Sequence, residues 1–274
     1  GAKVQETIRV PVERLDQLVD AIGEAVIAQS MVAADPAISG ARSQALERKI
    51  TQTNLIMRQI QEQSMALRMV SVKATFQKMA RLVRDLSKKA DKEIEFSMEG
   101  EDTELDKSVV ENIGDPLIHM VRNAVDHGIE KSAEERVNAG KEATAKVVLR
   151  SFHKAGSIYI EIEDDGRGLA KEAILEKARS KGLCRSEDKF SDQEIYQFIF
   201  APGFSTAKQV TDVSGRGVGM DVVKRNIQAL RGSIEIQSEQ GTGTTFSIRL
   251  PLTLAIIDGM IVRLGEQRYI LPTL

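Results

Sequence analysis

The sequence holds a single cysteine, Cys184, among its 274 residues. One thiol cannot build a disulfide framework within the chain or a thiolate zinc site, and such usage fits a reducing compartment. Histidine is almost as scarce. His119, His127 and His153 are the whole complement, too few for a multi-histidine metal cluster. The apolar stretches fall far short of the roughly 18 residues that a membrane-spanning helix needs, and no basic-then-apolar leader opens the sequence. We therefore expect a soluble, cytoplasmic protein without direct membrane insertion. An excess of one charge is also lacking: 38 Lys and Arg nearly balance 40 Asp and Glu, a formal net charge of −2, which argues against a nucleic-acid partner. What is present is 42% hydrophobic and 28% charged residues, a globular composition with room for one large domain or two ordinary ones. Gly1-Ala2 reads as a trimmed expression remnant, and the last apolar run, Tyr269-Ile270-Leu271, breaks off within a pattern. We expect a piece of something longer.

The first 70 residues carry almost no strand signal. A heptad seam runs through Leu15, Leu18, Ile22, Ala25, Gln29 and Val32, and a second through Leu46, Ile50, Thr53, Met57, Ile60, Ser64 and Leu67; both keep the 3/4 alternation of a long amphipathic helix. Asp35-Pro36 and Ser39-Gly40 between them are stop and turn residues, so the helices are expected to fold back as an antiparallel hairpin. Val19, Val26 and other apolar residues widen the stripe beyond one partner. Pairing two hairpins into a four-helix bundle would cover it. Beyond, a helical period from Phe76 to about Ala90 gives way to the alternating strand Ile94, Phe96, Met98, closed by Gly100. A helix through Val109 to Val125 precedes two strands, 146–152 and 157–163, joined through Lys154-Ala155-Gly156. Helices are expected at 173–181, 192–200 and 220–230, and two last strands at 233–238 and 244–250. Hairpins with few β-helix-β alternations predict an α+β sandwich, a mixed sheet with helices on one face. From Leu252 the run LTLAIIDGMIVRL reads as the first strands of a further unit.

Four patches carry chemistry. Asp164-Asp165-Gly166-Arg167-Gly168 ends a strand, where a carboxylate can accept a hydrogen bond from an exocyclic amine and the glycines allow close backbone approach; a turn capping a helix explains the same string. Ser214-Gly215-Arg216-Gly217-Val218-Gly219-Met220 sets three glycines at alternate positions before a helix. Backbone N–H groups and the helix N-terminus would face an anionic phosphate chain there, although the spacing matches neither a Walker A loop nor G-x-G-x-x-G. Upstream, the stretch from Gly203 to Val213 reads as a cover over the phosphates. His119, Asn123 and His127 lie at i, i+4 and i+8 on one helix face, and an asparagine carbonyl can ligate Mg²⁺. In Gly241-Thr242-Gly243-Thr244, the Thr244 hydroxyl can support a purine beside Asp164; an ordinary hairpin turn explains this string equally.

In this order over about 125 residues, the patches resemble the ATP-binding (GHKL or Bergerat) fold shared by gyrase, Hsp90, MutL and the histidine kinases. The wording RNAVDHGIE, IEIEDDGRGL, GFSTAKQVTDVSGRGVGMDVVK and IRLPLTLAII is similar, more narrowly, to the CheA family of bacterial chemotaxis histidine kinases, and the similarity runs through the hairpin, LRMVSV and EGEDTELD. The resemblance implies a dimerisation domain at 1–70, an ATP-binding kinase domain at 71–251 and the start of a regulatory domain at 252–274. It implies ATP and Mg²⁺, with Asn123 holding the metal, Asp164 binding the adenine amine beside Gly166, Gly168 and Thr244, and the segment from Ser214 to Met220 (Gly215, Gly217, Val218 and Gly219) wrapping the triphosphate. His119, Arg122, His127 and Lys177 would line the nucleotide. ATP-hydrolysing relatives typically carry Glu where this chain has His119, so transfer to a histidine is expected over hydrolysis, with His119 tuning the site or handling a proton.

A phosphotransfer domain would supply the acceptor histidine, because no stretch of these residues resembles one; His153 is expected to be structural. The resemblance further implies a homodimer through the hairpin, and coupling-protein and chemoreceptor contacts through the regulatory domain. Two competing readings stand beside this one. A dimeric pseudokinase scaffold has no need of Asn123, Asp164 or the loop glycines, and an ATPase of the gyrase type is discriminated by position 119. One departure concerns the joint between the first two domains, where the family commonly has a proline and this chain has Ser71. Ser71 retains its N–H, and the second long helix is expected to run on through the joint to Phe76.

Overall fold

The structure is a computed structural model that describes residues 10–40, 43–185, 188, 190–204, 219–252, 259–265 and 267–272. Two compact units are present, Gly1–Met69 with Thr253–Leu274, and Val70–Leu252.

In the first unit, helices α1 (Val12–Ala34) and α3 (Gln44–Ala66) form the expected hairpin, with a five-residue helix α2 (Pro36–Gly40) in the turn. Asp35 ends α1 in an extended conformation, its carboxylate accepting from Ala37 N–H at 2.8 Å. Ser43 caps α3 by accepting from Leu46 N–H at 3.2 Å, a bond that satisfies one orphan donor of the first turn. At the open end the hairpin is bridged by the Arg68–Asp16 ion pair, 3.3 Å. The pairing is thin. No residue of α1 is buried, and Ile27, Met31, Leu55 and Ile60 stand 61%, 69%, 58% and 42% exposed. The C-terminal strands β8 (Gly259–Leu264) and β9 (Gln267–Pro272) pair as an antiparallel hairpin. The run 253–258 before them lies outside the described residues.

The joint corrects one expectation. Helix α3 stops at Ala66, strand β1 (Met69–Ser71) follows, and α4 (Lys73–Ala90) begins anew. The absence of proline does not extend the helix, because Ser71 breaks it by another route. Its hydroxyl donates to Glu101 O at 2.8 Å and accepts from Lys73 N–H at 3.1 Å, a local bond that competes with the helical ladder. Val72 N–H donates to Thr103 O at 3.0 Å, and β1 pairs with β3 (Glu104–Asp106).

The second unit is a two-layer α+β sandwich. Its sheet contains β2 (Ile94–Glu99), β4 (Ala145–Lys154), β5 (Ser157–Asp164), β6 (Ser233–Glu239) and β7 (Gly243–Pro251), in the order β2-β4-β5-β7-β6. Only β2 and β4 are parallel; the other neighbours are antiparallel. Ala155 (φ 48°) and Gly156 (φ 71°) make the β4–β5 turn, a pair of positive φ values that follows the strands' twist. Burial alternates: Ile158, Ile160 and Ile162 of β5 and Phe246, Ile248 and Leu250 of β7 face the core. Helices α4, α5 (Lys107–Asn123) and α9 (Met220–Ala229) complete that core with Phe76, Met79, Ile113, Leu117, Val121, Val223 and Ile227. Shorter helices α6 (Ala133–Asn138), α7 (Lys171–Ser180) and α8 (Asp192–Gln197) flank the sheet's connections. Asp164 and Thr244 continue the inward-facing rows of their strands, and that phase places two polar side chains where apolar ones would otherwise sit.

An apolar face this exposed predicts self-association. Leu55→Glu or Ile60→Glu is expected to convert a dimer to monomer in sedimentation while the second unit keeps its thermal transition. A dimer of unchanged strength would contradict this.

Candidate nucleotide site

Helix α5 ends at Asn123 and passes into a π turn, Ala124–Gly128, closed by Ile129 N–H donating to Ala124 O at 2.9 Å. The π turn is absent from the sequence reading. Lys92 caps it, its ammonium donating to Val125 O at 2.7 Å and Ile129 O at 3.0 Å, which satisfies carbonyls that the helix end leaves open. Burial, and next the nearby Arg167, lowers the Lys92 pKa. His119, Asn123 and His127 share the face that the 3.6 period assigns them, and all three line one cavity of about 630 Å³. Asp164, Gly168, Gly219, Met220 and Thr244 line it too. Its apolar wall includes Ile174, Ile199 and Phe246.

Asp164 lies at the cavity floor, 3% exposed. Burial pushes its carboxyl up to about 7, against the opposing pull of the Gly166 N–H, which donates to Oδ1 at 3.0 Å. The glycines around it permit backbone to approach backbone. A Cβ on Gly166 would stand 2.2 Å from Gly128 O, and one on Gly243 2.1 Å from Asp164 O. Gly128 also faces the carboxylate, and Arg167 N–H donates to its carbonyl at 2.8 Å. Gly166 is therefore spent on packing the loop against the π turn, and is not on the cavity wall.

A buried ionic cluster clamps this loop. Arg136, 2% exposed, donates to Glu130 Oε2 at 2.6 Å and Asp165 Oδ2 at 2.8 Å. Lys141 donates to Glu130 Oε1 at 2.9 Å, Asp165 O at 2.7 Å and Gly166 O at 2.5 Å. Burial alone would raise the Glu130 pKa, but its backbone N–H, Lys141 and Arg136 together hold it below the usual carboxylate range. Arg136 and Lys141 carry no motif signal, since each reads as an ordinary surface charge near the end of a short helix. Only their distance from the loop in space reveals them.

Asn123 Nδ2 donates to Met220 Sδ at 2.9 Å, tying α5 to the N-terminus of α9. Gly219 occupies the N-cap position of that ten-residue helix, and Asp221 in its first turn pairs with Arg225 at 3.1 Å. Arg225, on the cavity wall, was not singled out by the sequence. Burial, followed by Arg122, lowers the His119 pKa below its ordinary value, so the imidazole is neutral at pH 7. Arg122 is half-buried on α5 away from the cavity wall. Lys177 sits with its ammonium 5.7 Å from the centre of the Phe204 ring, a residue that does line the wall. Ser214, Gly215, Gly217 and Val218 lie outside the described residues, as does most of the stretch read as a cover.

A family model described as histidine kinase-, DNA gyrase B- and HSP90-like ATPase matches residues 112–254. A second, the homodimeric domain of signal transducing histidine kinases, matches residues 5–67. Chemotaxis protein CheA of Salmonella typhimurium is 51% identical over 271 residues, 97% of this chain and 40% of the relative. CheA of Klebsiella aerogenes is 50% identical, over 99% of this chain and 42% of the relative. Among solved structures, the catalytic domain of the histidine kinase ThkA covers 68% of this chain and 95% of its own at 18% identity and a TM-score of 0.45. The chain belongs to the histidine kinase-, DNA gyrase B- and HSP90-like ATPase family, and along nearly its whole length it is similar to the CheA chemotaxis proteins. It spans about 40% of the length of these curated relatives. Among the described residues, no helix is long and apolar enough to cross a membrane.

The raised Asp164 pKa sets a direction for pH dependence. The folded state holds this proton more tightly than the unfolded state does. The associated stability is therefore full below the ordinary carboxylate value of 3.8 and is lost as pH rises towards about 7. Chemical denaturation of the ligand-free protein should show stability falling between pH 5 and 7 relative to Asp164→Asn. Parallel profiles would contradict the burial argument.

Proposed function

We propose that the chain is the dimerising and ATP-binding core of a chemotaxis sensor histidine kinase, which transfers the γ-phosphoryl group of ATP to a histidine on a separate phosphotransfer domain. The observation that carries this reading is the buried Asp164 carboxyl at the floor of a cavity that Asn123 and the N-terminus of α9 also line. A cavity of about 630 Å³ falls in the range of small-ligand sites. Ionised Asp164 accepts from the exocyclic amine of adenine, with Thr244 beside it. Ile174, Ile199 and Phe246 supply apolar surface for the ring.

At the other end, Gly219 and the α9 N-terminus, both on the cavity wall, would face the triphosphate, where the helix dipole and open N–H groups favour anions. His127 and Arg225, both on the cavity wall, add hydrogen-bonding and positive groups around it. Among the described residues, no cluster of three or more His, Cys, Asp or Glu side chains can hold a metal. An asparagine carbonyl suits an ion held mainly through phosphate oxygens, and Asn123 on the cavity wall would supply that one protein ligand. Mg²⁺, when bound, offsets phosphate charge during transfer. Neutral His119 has a lone pair with which to take a proton, and it lacks the carboxylate that would activate water for hydrolysis. In the transfer itself the bond from the γ-phosphorus to the bridging oxygen breaks, a nitrogen–phosphorus bond forms on the acceptor imidazole, and ADP departs with the electron pair. Positioning contributes most of the rate.

Residues 1–70 form the homodimerisation domain in this reading, 71–251 the kinase domain and 252–274 the opening of a regulatory domain, through which the parent protein would meet coupling protein and chemoreceptors in cytoplasmic arrays. The exposed apolar faces of α1 and α3 support the first assignment, and the acceptor histidine would be presented in trans.

Labelled γ-phosphate from ATP should pass to a separately supplied phosphotransfer domain with Mg²⁺ present, and not when the ion is chelated. Labelling of the chain itself, or none of the acceptor despite ATP binding, would contradict the assignment. Asn123→Ala should lower transfer by about a hundredfold or more with the dimer intact by sedimentation; near-normal transfer would remove Asn123 from the site.

A further inference from the structure

Three adjacent strands, β6, β7 and β5, place Ser238, Thr244 and Asp164 in one row. Ser238 is the register partner of Thr244, and Thr244 is the register partner of Asp164; side chains directly opposite each other project to the same face. Thr244 and Asp164 line the cavity and are 5% and 3% exposed, while Ser238 lies just behind them. Ser238 is hydrogen-bonded through both its hydroxyl and its carbonyl. Its Oγ accepts from Leu169 N–H at 2.9 Å, donates to Gly243 O at 2.9 Å and lies 3.0 Å from Thr244 Oγ1. Its carbonyl accepts from the Tyr196 hydroxyl at 2.8 Å.

Counting protons decides the direction of the Ser238–Thr244 bond. A serine hydroxyl has one proton and two lone pairs. The Gly243 carbonyl can only accept, so it takes the Ser238 proton. Leu169 N–H can only donate, so it occupies one lone pair. The remaining lone pair faces Thr244, whose own proton must point at Ser238. Towards the cavity, Thr244 Oγ1 then offers lone pairs alone, next to a carboxylate that, once ionised, also only accepts.

We propose that Ser238 is a positioning residue that fixes the polarity of the Thr244 hydroxyl, so that the wall beside Asp164 accepts hydrogen bonds only and selects a base bearing an exocyclic amine over one bearing a carbonyl oxygen there. The inference rests on the nucleotide-binding reading above and adds to it the residue that sets base selectivity without touching the base. Tyr196, through the Ser238 carbonyl, holds the strand that carries this hydroxyl. The Leu169 bond extends the same control to the loop that follows Gly168.

The test compares binding of ATP with binding of inosine triphosphate, which carries oxygen in place of the amine. Calorimetry on the full chain at pH 8 keeps Asp164 mainly ionised. The unaltered chain should prefer ATP. Ser238→Ala releases the Thr244 proton, and the ATP-to-inosine-triphosphate preference should fall about tenfold, the size of one hydrogen bond. Ser238→Thr keeps the hydroxyl and should preserve the preference. Thr244→Val reads the polarity with Ser238 in place: loss of an acceptor lowers the preference, whereas a preference that rises would show that Thr244 donates into the cavity and would overturn the proposal. Equal weakening of both nucleotides by Ser238→Ala would also overturn it, leaving Ser238 a purely structural residue. If the unaltered chain binds neither nucleotide, the nucleotide reading itself fails, an outcome distinct from the others.

Discussion

The second unit is arranged around one unfavourable placement, a carboxyl group on the inward face of a sheet. A core-facing position at the end of β5 calls for an apolar side chain, and Asp164 stands there 3% exposed. Burying an ionisable group this deeply costs several kcal/mol unless it is neutralised or partnered. In the ligand-free protein the cost is lowered by retention of a proton up to about pH 7 and by a hydrogen bond from Gly166. A donor group entering the cavity would relieve it further.

Much of the surrounding structure serves that placement. Gly128, Gly166 and Gly243 allow three stretches of backbone to close on Asp164 at distances that a Cβ would forbid. Glu130, Arg136, Lys141 and Asp165 hold the two loops together from behind. A buried cluster of this kind is weak evidence for net stability, because desolvation offsets most of its attraction. Its geometric effect is plainer: Lys141 donates to the carbonyls of both Asp165 and Gly166 and so fixes the turn that aims the Gly166 N–H at Asp164. Lys92 does for the π turn what Lys141 does for this loop.

Periodicity and punctuation carried the fold. The 3/4 spacing from Leu15 to Leu67 gives α1 and α3, and alternating burial in β5 and β7 follows the isoleucines and leucines of the sequence. The α5 face with His119, Asn123 and His127 was legible because helical spacing survives the π turn closely enough. The turn itself was not, since it depends on a distant lysine. The joint departs from the expected continuous helix because proline is not the only residue that opposes one: the Ser71 hydroxyl, bonded across to Glu101, competes with the helical ladder. Arg136, Lys141, Arg225 and Ser238 were invisible for a common reason: each acts on a partner far away in sequence, and a charged or small polar residue seen alone has no period. Gly166 was expected to let the backbone pass close to a ligand, and the group that approaches it is the chain's own backbone at Gly128.

In the proposed reading, dimerisation and nucleotide chemistry belong to different units. In the proposed reading the Asp164 carboxyl holds its proton up to about pH 7 in the free protein and ionises when adenine binds. Measuring its carboxyl pKa by carbon-13 NMR, in the ligand-free protein and with ATP, tests that directly. The account predicts a value near 7 without ligand and a clear fall on binding. A value in the ordinary carboxylate range in both states would contradict it.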